Sequence, residues 1–237
     1  MDCNGRWLIS SIGFKARRTT PYSQSVPNLW LNTPGVLCSA LNDWNQIYRA
    51  SNGPPWDIGR PQPAFISLVK NHEMIPPGTV LDVGCGTGEN AIFYAQNKFT
   101  VSGLDLARAA IDQARSKAKE RNVNVDFQEG NALALDFKAG SFDYVTDSGL
   151  FHTFNDAQRP LFREEVARVL KPKGVYFMMC FSDKEPTNWG GPRRVSKEEI
   201  KETFSSRFKV NYIRDELFTT KIHDKGGRAY LTSATRL

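Results

Sequence analysis

The 237-residue chain lacks several features that would place it in a specialised class of protein. Its longest uninterrupted apolar run, residues 175–181, is far below the roughly 18 residues that a membrane span requires. Its four cysteines form no CxxC pair and no cluster with histidine, so we expect neither a disulfide framework nor a metal site. No stripe of basic residues accounts for the net charge of +6. These absences predict a globular, cytoplasmic protein that binds neither nucleic acid nor membrane.

Residues 1–40 differ in composition from the rest of the chain. They are rich in serine, threonine, asparagine and proline, contain one acidic residue, and show no sustained apolar period. We predict a flexible leader over 1–40 without a role in the fold. The alternative is an organelle-targeting segment, which the few acids and the pair Arg17-Arg18 would suit. The remainder, 41–237, has the length of one α/β domain.

Short apolar runs alternate with helical patterns along this remainder. Strands are predicted at 79–83, 100–104, 123–128, 142–146, 175–181, 209–218 and 229–235. Helices are predicted at 63–74, 89–97, 107–121 and 159–170, and from a capping box of Ser196 and Glu199 to about Phe208. This alternation builds a parallel sheet with helices on both faces. Ligands of such sheets bind beyond the carboxyl ends of the strands.

The strongest functional signal is the segment VLDVGCGTG at 80–88. Glycine at 84, 86 and 88 permits a tight turn and a close approach of ligand to backbone, and the following helix offers free N–H groups. A dinucleotide loop of the GxGxxG type would need glycine at 89, where this chain has Glu89. Because a carboxylate there would repel a pyrophosphate, we expect a ligand without phosphates rather than a nicotinamide cofactor.

Asp105 ends the second predicted strand, 21 residues after Gly84. This is close to the spacing of about 20 residues at which an acidic side chain accepts the hydroxyl protons of a ribose. A solvated aspartate at a strand end is the alternative, and the glycine loop upstream favours the ribose contact.

Together these motifs resemble the core of the class I S-adenosylmethionine-dependent methyltransferases over residues 79–182. The loop from Asp82 to Gly88 is similar to the family's acidic-x-Gly-x-Gly-x-Gly loop, and Asp105 to its acid at the end of strand two. Residues 170–174, LKPKG, resemble the family's turn before strand five. The resemblance implies a Rossmann-like, doubly wound sheet of seven strands, mostly parallel with the last antiparallel, and S-adenosylmethionine as the cofactor.

The resemblance also implies a set of cofactor-binding residues. The three loop glycines would line the methionine part and Asp82 would support its amino-acid end, through the loop or a water. Asp105 would hold the ribose, and Leu106 would pack on the adenine. Asn131 stands where the family often has an acid, and its carbonyl oxygen can still accept the adenine amine proton. The full set is Trp44, Trp56, Arg60, Asp82, Gly84, Cys85, Gly86, Gly88, Asp105, Leu106, Asn131, Ala132 and Asp147.

The segment WDIGRPQP at 56–63 resembles the thiopurine, thiol and halide branch of these enzymes. Trp56, with Trp44 twelve residues earlier, is expected to form part of a lid, where an indole face would favour the sulfonium by a cation–π contact. The alternative for both tryptophans is core packing. Arg60 would orient the lid or bind the cofactor carboxylate in a bidentate manner, with a surface ion pair as the alternative.

The segment DSGLFH at 147–152 ends the fourth strand, where the family places groups that face the transferred methyl. The Asn/Asp-Pro-Pro-aromatic run of enzymes that methylate base amines is absent. His152 and Asp147 are candidate general bases, and a packed or capping histidine is the alternative. A thiolate or halide acceptor would need no base, whereas an oxygen or nitrogen acceptor would.

These observations predict a monomeric enzyme that transfers a methyl group from S-adenosylmethionine to a small molecule, most simply a thiol or another polarisable nucleophile. The direct transfer would depend mainly on positioning of the acceptor. Two alternatives stay open: a non-catalytic S-adenosylmethionine-binding module, and a methyltransferase for oxygen or nitrogen of a small molecule.

Overall fold

A computed structural model describes residues 44–186 and 191–237 of the chain. The predicted leader at 1–40 lies outside the described residues, so the division between 1–40 and 41–237 stays a prediction. Among the described residues, no helix is both long and apolar enough to cross a membrane.

Seven strands form one sheet, preceded by a helical segment at residues 44–49. The strands are β1 Thr79–Val83, β2 Thr100–Asp105, β3 Asp126–Glu129, β4 Phe142–Ser148, β5 Leu170–Phe181, β6 Phe208–Thr220 and β7 His223–Arg236. The helices are α1 Pro63–Lys70, α2 Glu89–Gln96, α3 Arg108–Glu120, α4 Gln158–Val169 and α5 Lys197–Phe204, with a 3-10 turn at Phe151–Thr153. This confirms the predicted alternation of strands and helices.

The strand order is β3-β2-β1-β4-β5-β7-β6. The pairs among β1 to β5 are parallel, whereas β7 runs antiparallel to both β5 and β6. The Rossmann-like, doubly wound sheet of seven strands with an antiparallel last strand is therefore confirmed. The order reverses between β1 and β4, and the carboxyl ends of these strands border the crevice in which such folds bind ligands.

The sheet is buried on both faces. Helices α4 and α5 cover one face, where Phe162 and Phe204 pack with Leu81 of β1. Helices α1 to α3 cover the other face, where Phe65 and Ile111 belong to the second apolar cluster. Burial on both faces explains the uninterrupted apolar run at residues 175–181 of β5.

Some element boundaries differ from those predicted. β5 begins at Leu170 rather than at residue 175, because Leu170 pairs with Phe142 of β4 across an irregularity in the register. α1 ends at Lys70 and not at residue 74. His72, two residues after this end, has a positive φ of 58°, which a helix does not accommodate. The capping box is confirmed: Ser196 Oγ accepts the Glu199 N–H at 3.1 Å, and Glu199 Oε2 accepts the Ser196 N–H at 2.8 Å.

Candidate active site

The glycine loop turns from the end of β1 into α2. The N–H groups of Gly84 and Cys85 both donate to the Leu104 carbonyl of β2, at 2.7 and 3.0 Å. Gly84, Gly86 and Gly88 have φ values of 68°, 53° and 84°, in the left-handed region that side chains disfavour. The loop therefore lies at the carboxyl end of β1, fixed by hydrogen bonds to the neighbouring strand β2.

Gly88 should tolerate no side chain. A Cβ atom there would lie 2.7 Å from the Phe127 ring and 2.9 Å from the Ala114 Cβ. We expect Gly88→Ala to lower the free energy of unfolding by about 2–3 kcal/mol, from left-handed strain and overpacking together. Gly140→Ala is the matched control, since Gly140 has a φ of 67° with open space around it. Urea unfolding of both variants checks this, and equal losses would contradict the packing argument.

Asp105 lies half-buried at the end of β2 and is hydrogen-bonded to the glycine loop. Its Oδ2 accepts the Gly86 N–H and its Oδ1 accepts the Ala107 N–H, both at 2.9 Å. Burial raises the pKa of Asp105, while the backbone donors of Ala107 and Gly86 counteract this. Each carboxylate oxygen keeps a lone pair for a further donor, so the carboxylate suits a pair of ligand hydroxyls.

Asp82 precedes the loop and is buried, with 1% of its surface exposed. Its Oδ1 accepts the Thr146 hydroxyl proton at 2.8 Å, whereas its Oδ2 has no hydrogen-bond partner among the described residues. Burial raises the pKa of this carboxyl to about 7. A buried carboxylate oxygen without a donor indicates that a cationic or N–H group belongs next to it.

The segment after β3 carries the residues expected near an adenine. Asn131 Oδ1 accepts the Leu133 N–H at 2.9 Å, so part of its acceptor capacity maintains the turn. Its amide keeps one lone pair and both N–H donors. Leu106 is half-buried and Ala132 is buried. Their contact with an adenine stays a prediction.

Three aromatic residues form a cluster that we call the aromatic cap: Trp44, Tyr48 and Trp56. The Trp44 and Trp56 rings meet edge to face with centroids 5.9 Å apart, and the Trp56 indole N–H donates to the Tyr48 hydroxyl at 3.1 Å. That hydroxyl would be 2.9 Å from a Cβ built at Gly86. The cap thus rests on the glycine loop with both tryptophans half-buried. Trp56 also packs against the apolar cluster that includes Phe65 and Ile111, so the lid and core packing both stay open as interpretations.

Sequence reasoning missed Tyr48, although its position four residues after Trp44 in a helical segment was a usable signal. It also assigned Arg60 to the lid or the cofactor. Arg60 is exposed and forms no ion pair with any residue of the described chain, so its predicted role has no support from a contact.

Glu89 does not present an unpaired carboxylate to the loop, contrary to the sequence-based expectation. It forms ion pairs with Lys117 at 2.9 Å and with Arg121 at 2.7 Å. Burial raises its pKa, but the hydrogen bonds from Arg121 and Lys117 outweigh this and lower it. These ion pairs compensate most of the charge of Glu89 and so weaken the predicted repulsion of phosphates, and the missing third glycine stays as the argument against a dinucleotide.

Asp147 shapes the turn after β4. Its Oδ1 accepts the Leu150 N–H at 2.7 Å, and its Oδ2 accepts the Phe151 N–H at 2.9 Å and the Tyr176 hydroxyl proton at 3.0 Å. Burial raises its pKa to about 7 against these donors. With three hydrogen bonds and no exposed surface, Asp147 is placed to organise the turn rather than to act as base or cofactor ligand.

The His152 imidazole is packed against neighbouring groups rather than available to a substrate. Its Nδ1 accepts the Phe181 N–H at 3.1 Å, and its ring stacks on the Phe181 ring with centroids 5.1 Å apart. A neutral imidazole that accepts at Nδ1 carries its proton on Nε2, so neither nitrogen is free to take a proton. Burial, with the nearby charge of Arg159, lowers the pKa to about 3. The packed alternative is therefore favoured over the general base.

Arg159 of α4 is a residue that sequence reasoning missed. It is 4% exposed, and Nη1 donates to Glu199 at 3.2 Å. Its Nε and Nη2 are buried and have no hydrogen-bond partner among residues 44–186 and 191–237. Its Cζ lies 4.7 Å from the centroid of the Phe151 ring, in the turn after β4. A buried guanidinium with two free nitrogens indicates a place for an anion.

The two described cysteines are free thiols. Cys85 is half-buried in the loop and Cys180 is buried in β5, and burial raises the pKa of both. A raised pKa keeps both thiols protonated near neutral pH, and the thiolate is the reactive form. No group of potential metal ligands occurs among residues 44–186 and 191–237.

Comparison with known proteins agrees with this geometry. Residues 80–174 match the methyltransferase domain family. The chain is similar to the 2-heptyl-1-hydroxyquinolin-4(1H)-one methyltransferase of Mycobacteroides abscessus, with 33% identity over 162 residues, which are 68% of this chain and 70% of that protein. It is also similar to the probable thiol methyltransferase 2 of Arabidopsis thaliana, with 30% identity over 66% of this chain and 68% of that protein.

Solved structures show the same fold. One solved structure concerns the conversion of a disulfide bond into a thioacetal group during echinomycin biosynthesis. It superposes on this chain with a TM-score of 0.75 and 30% sequence identity, over 83% of this chain and 93% of that one. The geranyl diphosphate C-methyltransferase of Streptomyces coelicolor has a TM-score of 0.60 and 19% identity, over 73% of this chain and 80% of that one. The latter similarity concerns the fold alone.

Proposed function

The chain belongs to the class I S-adenosylmethionine-dependent methyltransferases, and from this premise we propose that it methylates a small molecule that arrives as an anion, first of all a thiolate. S-adenosylmethionine supplies an electrophilic methyl group on its sulfonium. The residues of this chain have to hold that group, exclude water and direct the acceptor towards it.

The residues around the loop fit the cofactor. The unpartnered Oδ2 of Asp82 would receive a donor from the amino-acid end of the cofactor, directly or through a water. Asp105 would accept the ribose hydroxyls with its remaining lone pairs, and the aromatic cap would cover the loop. An indole face would stabilise the sulfonium charge.

The described part of the active site offers no competent base. His152 Nδ1 is occupied by the Phe181 N–H, and the Asp147 oxygens are occupied by three donors. An acceptor that loses its proton in solution needs no such base. Thiols have pKa values of about 8–9, so a useful fraction is thiolate near neutral pH.

The observation that carries the proposal is the buried guanidinium of Arg159 with its two unpartnered nitrogens. A guanidinium binds an anion through two parallel hydrogen bonds and favours its charged form. Placed beside the turn after β4, Arg159 would select the ionised acceptor and help to orient it. It would act on the acceptor and not on the cofactor.

The similarities to proteins that act at sulfur add support. One relative is named a probable thiol methyltransferase, and the structure at 30% identity concerns the conversion of a disulfide bond. A second candidate acceptor is an acidic N-hydroxy group, because another relative is named for a 1-hydroxyquinolone substrate. Arg159 would bind either anion, and measured turnover of a thiol and of an N-hydroxy compound would distinguish the two acceptors.

We expect kcat/KM to follow the thiolate fraction of the acceptor. With a series of thiols whose pKa values run from about 6 to 10, kcat/KM should rise about tenfold per pH unit up to the pKa of each thiol and then level off. The measurement is product formation from pH 5.5 to 9. A single pH optimum that is independent of the thiol would indicate a base on the protein and contradict the proposal, and binding without turnover of any acceptor would favour a non-catalytic module.

A further inference from the structure

A chain of polar contacts joins the aromatic cap to the glycine loop. Asp57, next to Trp56 of the cap, accepts the Thr87 hydroxyl proton through its Oδ2 at 2.9 Å. Thr87 lies between the second and third loop glycines and is 4% exposed. Its oxygen in turn accepts a proton from Lys117 Nζ at 2.7 Å. Because a hydroxyl has only one proton, Lys117 must be the donor in the second bond.

Lys117 also compensates the charges around this chain of contacts. Its Nζ lies 2.9 Å from Glu89 Oε1 and 3.9 Å from Asp57 Oδ2, and its side chain is only 24% exposed. Without Lys117, Glu89 would keep Arg121 as its ion-pair partner, whereas Asp57 would lose the lysine that lies near it. Loss of an ion-pair partner lowers the free energy of unfolding much more for a partly buried charge than for an exposed one.

Other contacts place the cap on the same helix α3. Asn45 Oδ1 accepts the Ala109 N–H at 2.9 Å, and Gln113 Nε2 donates to the Tyr48 carbonyl at 2.8 Å. The segment that precedes the first core helix is therefore attached at its start to the beginning of α3 and at Asp57 to Lys117. The hydrogen bond at Asp57 passes through the loop itself, which the Tyr48 hydroxyl also approaches at Gly86.

We propose that Lys117 is a positioning residue that holds the aromatic cap against the glycine loop and thereby slows release of the cofactor. It would act through its contacts with Thr87 and Asp57 and not through a contact with cofactor or acceptor. This inference rests on the proposed placement of the cofactor between loop and cap. Lys117 would lengthen the lifetime of the closed complex and leave the association rate nearly unchanged.

The test is the dissociation rate of S-adenosylhomocysteine, followed by tryptophan fluorescence after a chase. We expect Lys117→Met and Thr87→Val to raise this rate roughly tenfold to a hundredfold, and Thr87→Ser to restore it to within about threefold. Lys119→Met, an exposed lysine on the same helix, is the matched control and should leave the rate unchanged.

Hydrogen–deuterium exchange of the ligand-free protein gives a second readout. Lys117→Met should accelerate exchange of the backbone amides at 57–60, while the amides of β1 and β4 keep the wild-type rate. If a folded Lys117→Met protein keeps the wild-type dissociation rate and the wild-type exchange rates, the role of Lys117 is overturned and the proposed function is unaffected. Failure of the wild type to bind S-adenosylhomocysteine would overturn the proposed function and this inference with it.

Discussion

Replacing Asp105 with alanine is expected to raise the Kd for S-adenosylmethionine and S-adenosylhomocysteine at least a hundredfold. The carboxylate has one free lone pair on each oxygen, since Gly86 and Ala107 occupy the others. Hydrogen bonds to a charged group contribute about 1.5–3 kcal/mol each, so the loss of two costs about 3 kcal/mol or more. The loop also loses the acceptor that fixes the Gly86 N–H. Titration calorimetry measures the change.

Two variants separate the carboxylate's role from a general disturbance of the sheet. Asp105→Asn keeps the shape and one acceptor oxygen, and we expect an increase in Kd of about tenfold. Asp126→Ala removes an exposed carboxylate from the neighbouring strand β3 and should leave Kd unchanged. Wild-type affinity in a folded Asp105→Ala protein would mean that the ribose is held elsewhere.

Replacing Arg159 with methionine is expected to lower kcat/KM for a thiol at least a hundredfold, with the Kd for the cofactor changed less than about twofold. Loss of one partner from a buried, hydrogen-bonded charge pair costs about 2–5 kcal/mol. Arg159→Lys keeps the charge but not the paired donors, so we expect it to recover only part of the rate. Steady-state kinetics with a fixed, saturating cofactor concentration checks both.

The stability of the Arg159→Met variant distinguishes a functional residue from a structural one. In the ligand-free protein two guanidinium nitrogens are buried without partners, which is unfavourable. We therefore expect the melting temperature to stay equal or to rise. Arg163→Met is the control on the same helix and should affect neither rate nor affinity. A large fall in the melting temperature of Arg159→Met with unchanged kcat/KM would contradict a role in acceptor binding.

Much of the fold and of the cofactor site could be predicted because the signals are local. The run from Val80 to Gly88 contains a buried strand, the turn and the helix start in nine consecutive residues. The alanines of α3 mark its buried face at three- and four-residue spacing, and they are buried in the structure. In such stretches local pattern and tertiary fold agree.

The rest depends on contacts between distant segments. The partners of Glu89 are 28 and 32 residues away, on α3 and directly after it, so the sequence could not show that its charge is compensated. Nor could it show that the Phe181 N–H occupies His152 Nδ1. Arg159 had a signal that was overlooked: it lies on the same helical stripe as Phe162 and Val166, at i, i+3 and i+7. An arginine on a buried stripe is unusual enough to mark a site.

The most direct test of the account is a competition between acceptors. The protein would be incubated with S-adenosylmethionine that carries a trideuterated methyl group, together with equal concentrations of an alkyl thiol, a 2-alkyl-1-hydroxyquinolone and a phenol, and the labelled products would be identified by mass spectrometry. We expect the label to appear first on sulfur and Arg159→Met to remove most of this product. Label that appears first on the phenol, or on no acceptor while the cofactor still binds, would contradict the proposed function.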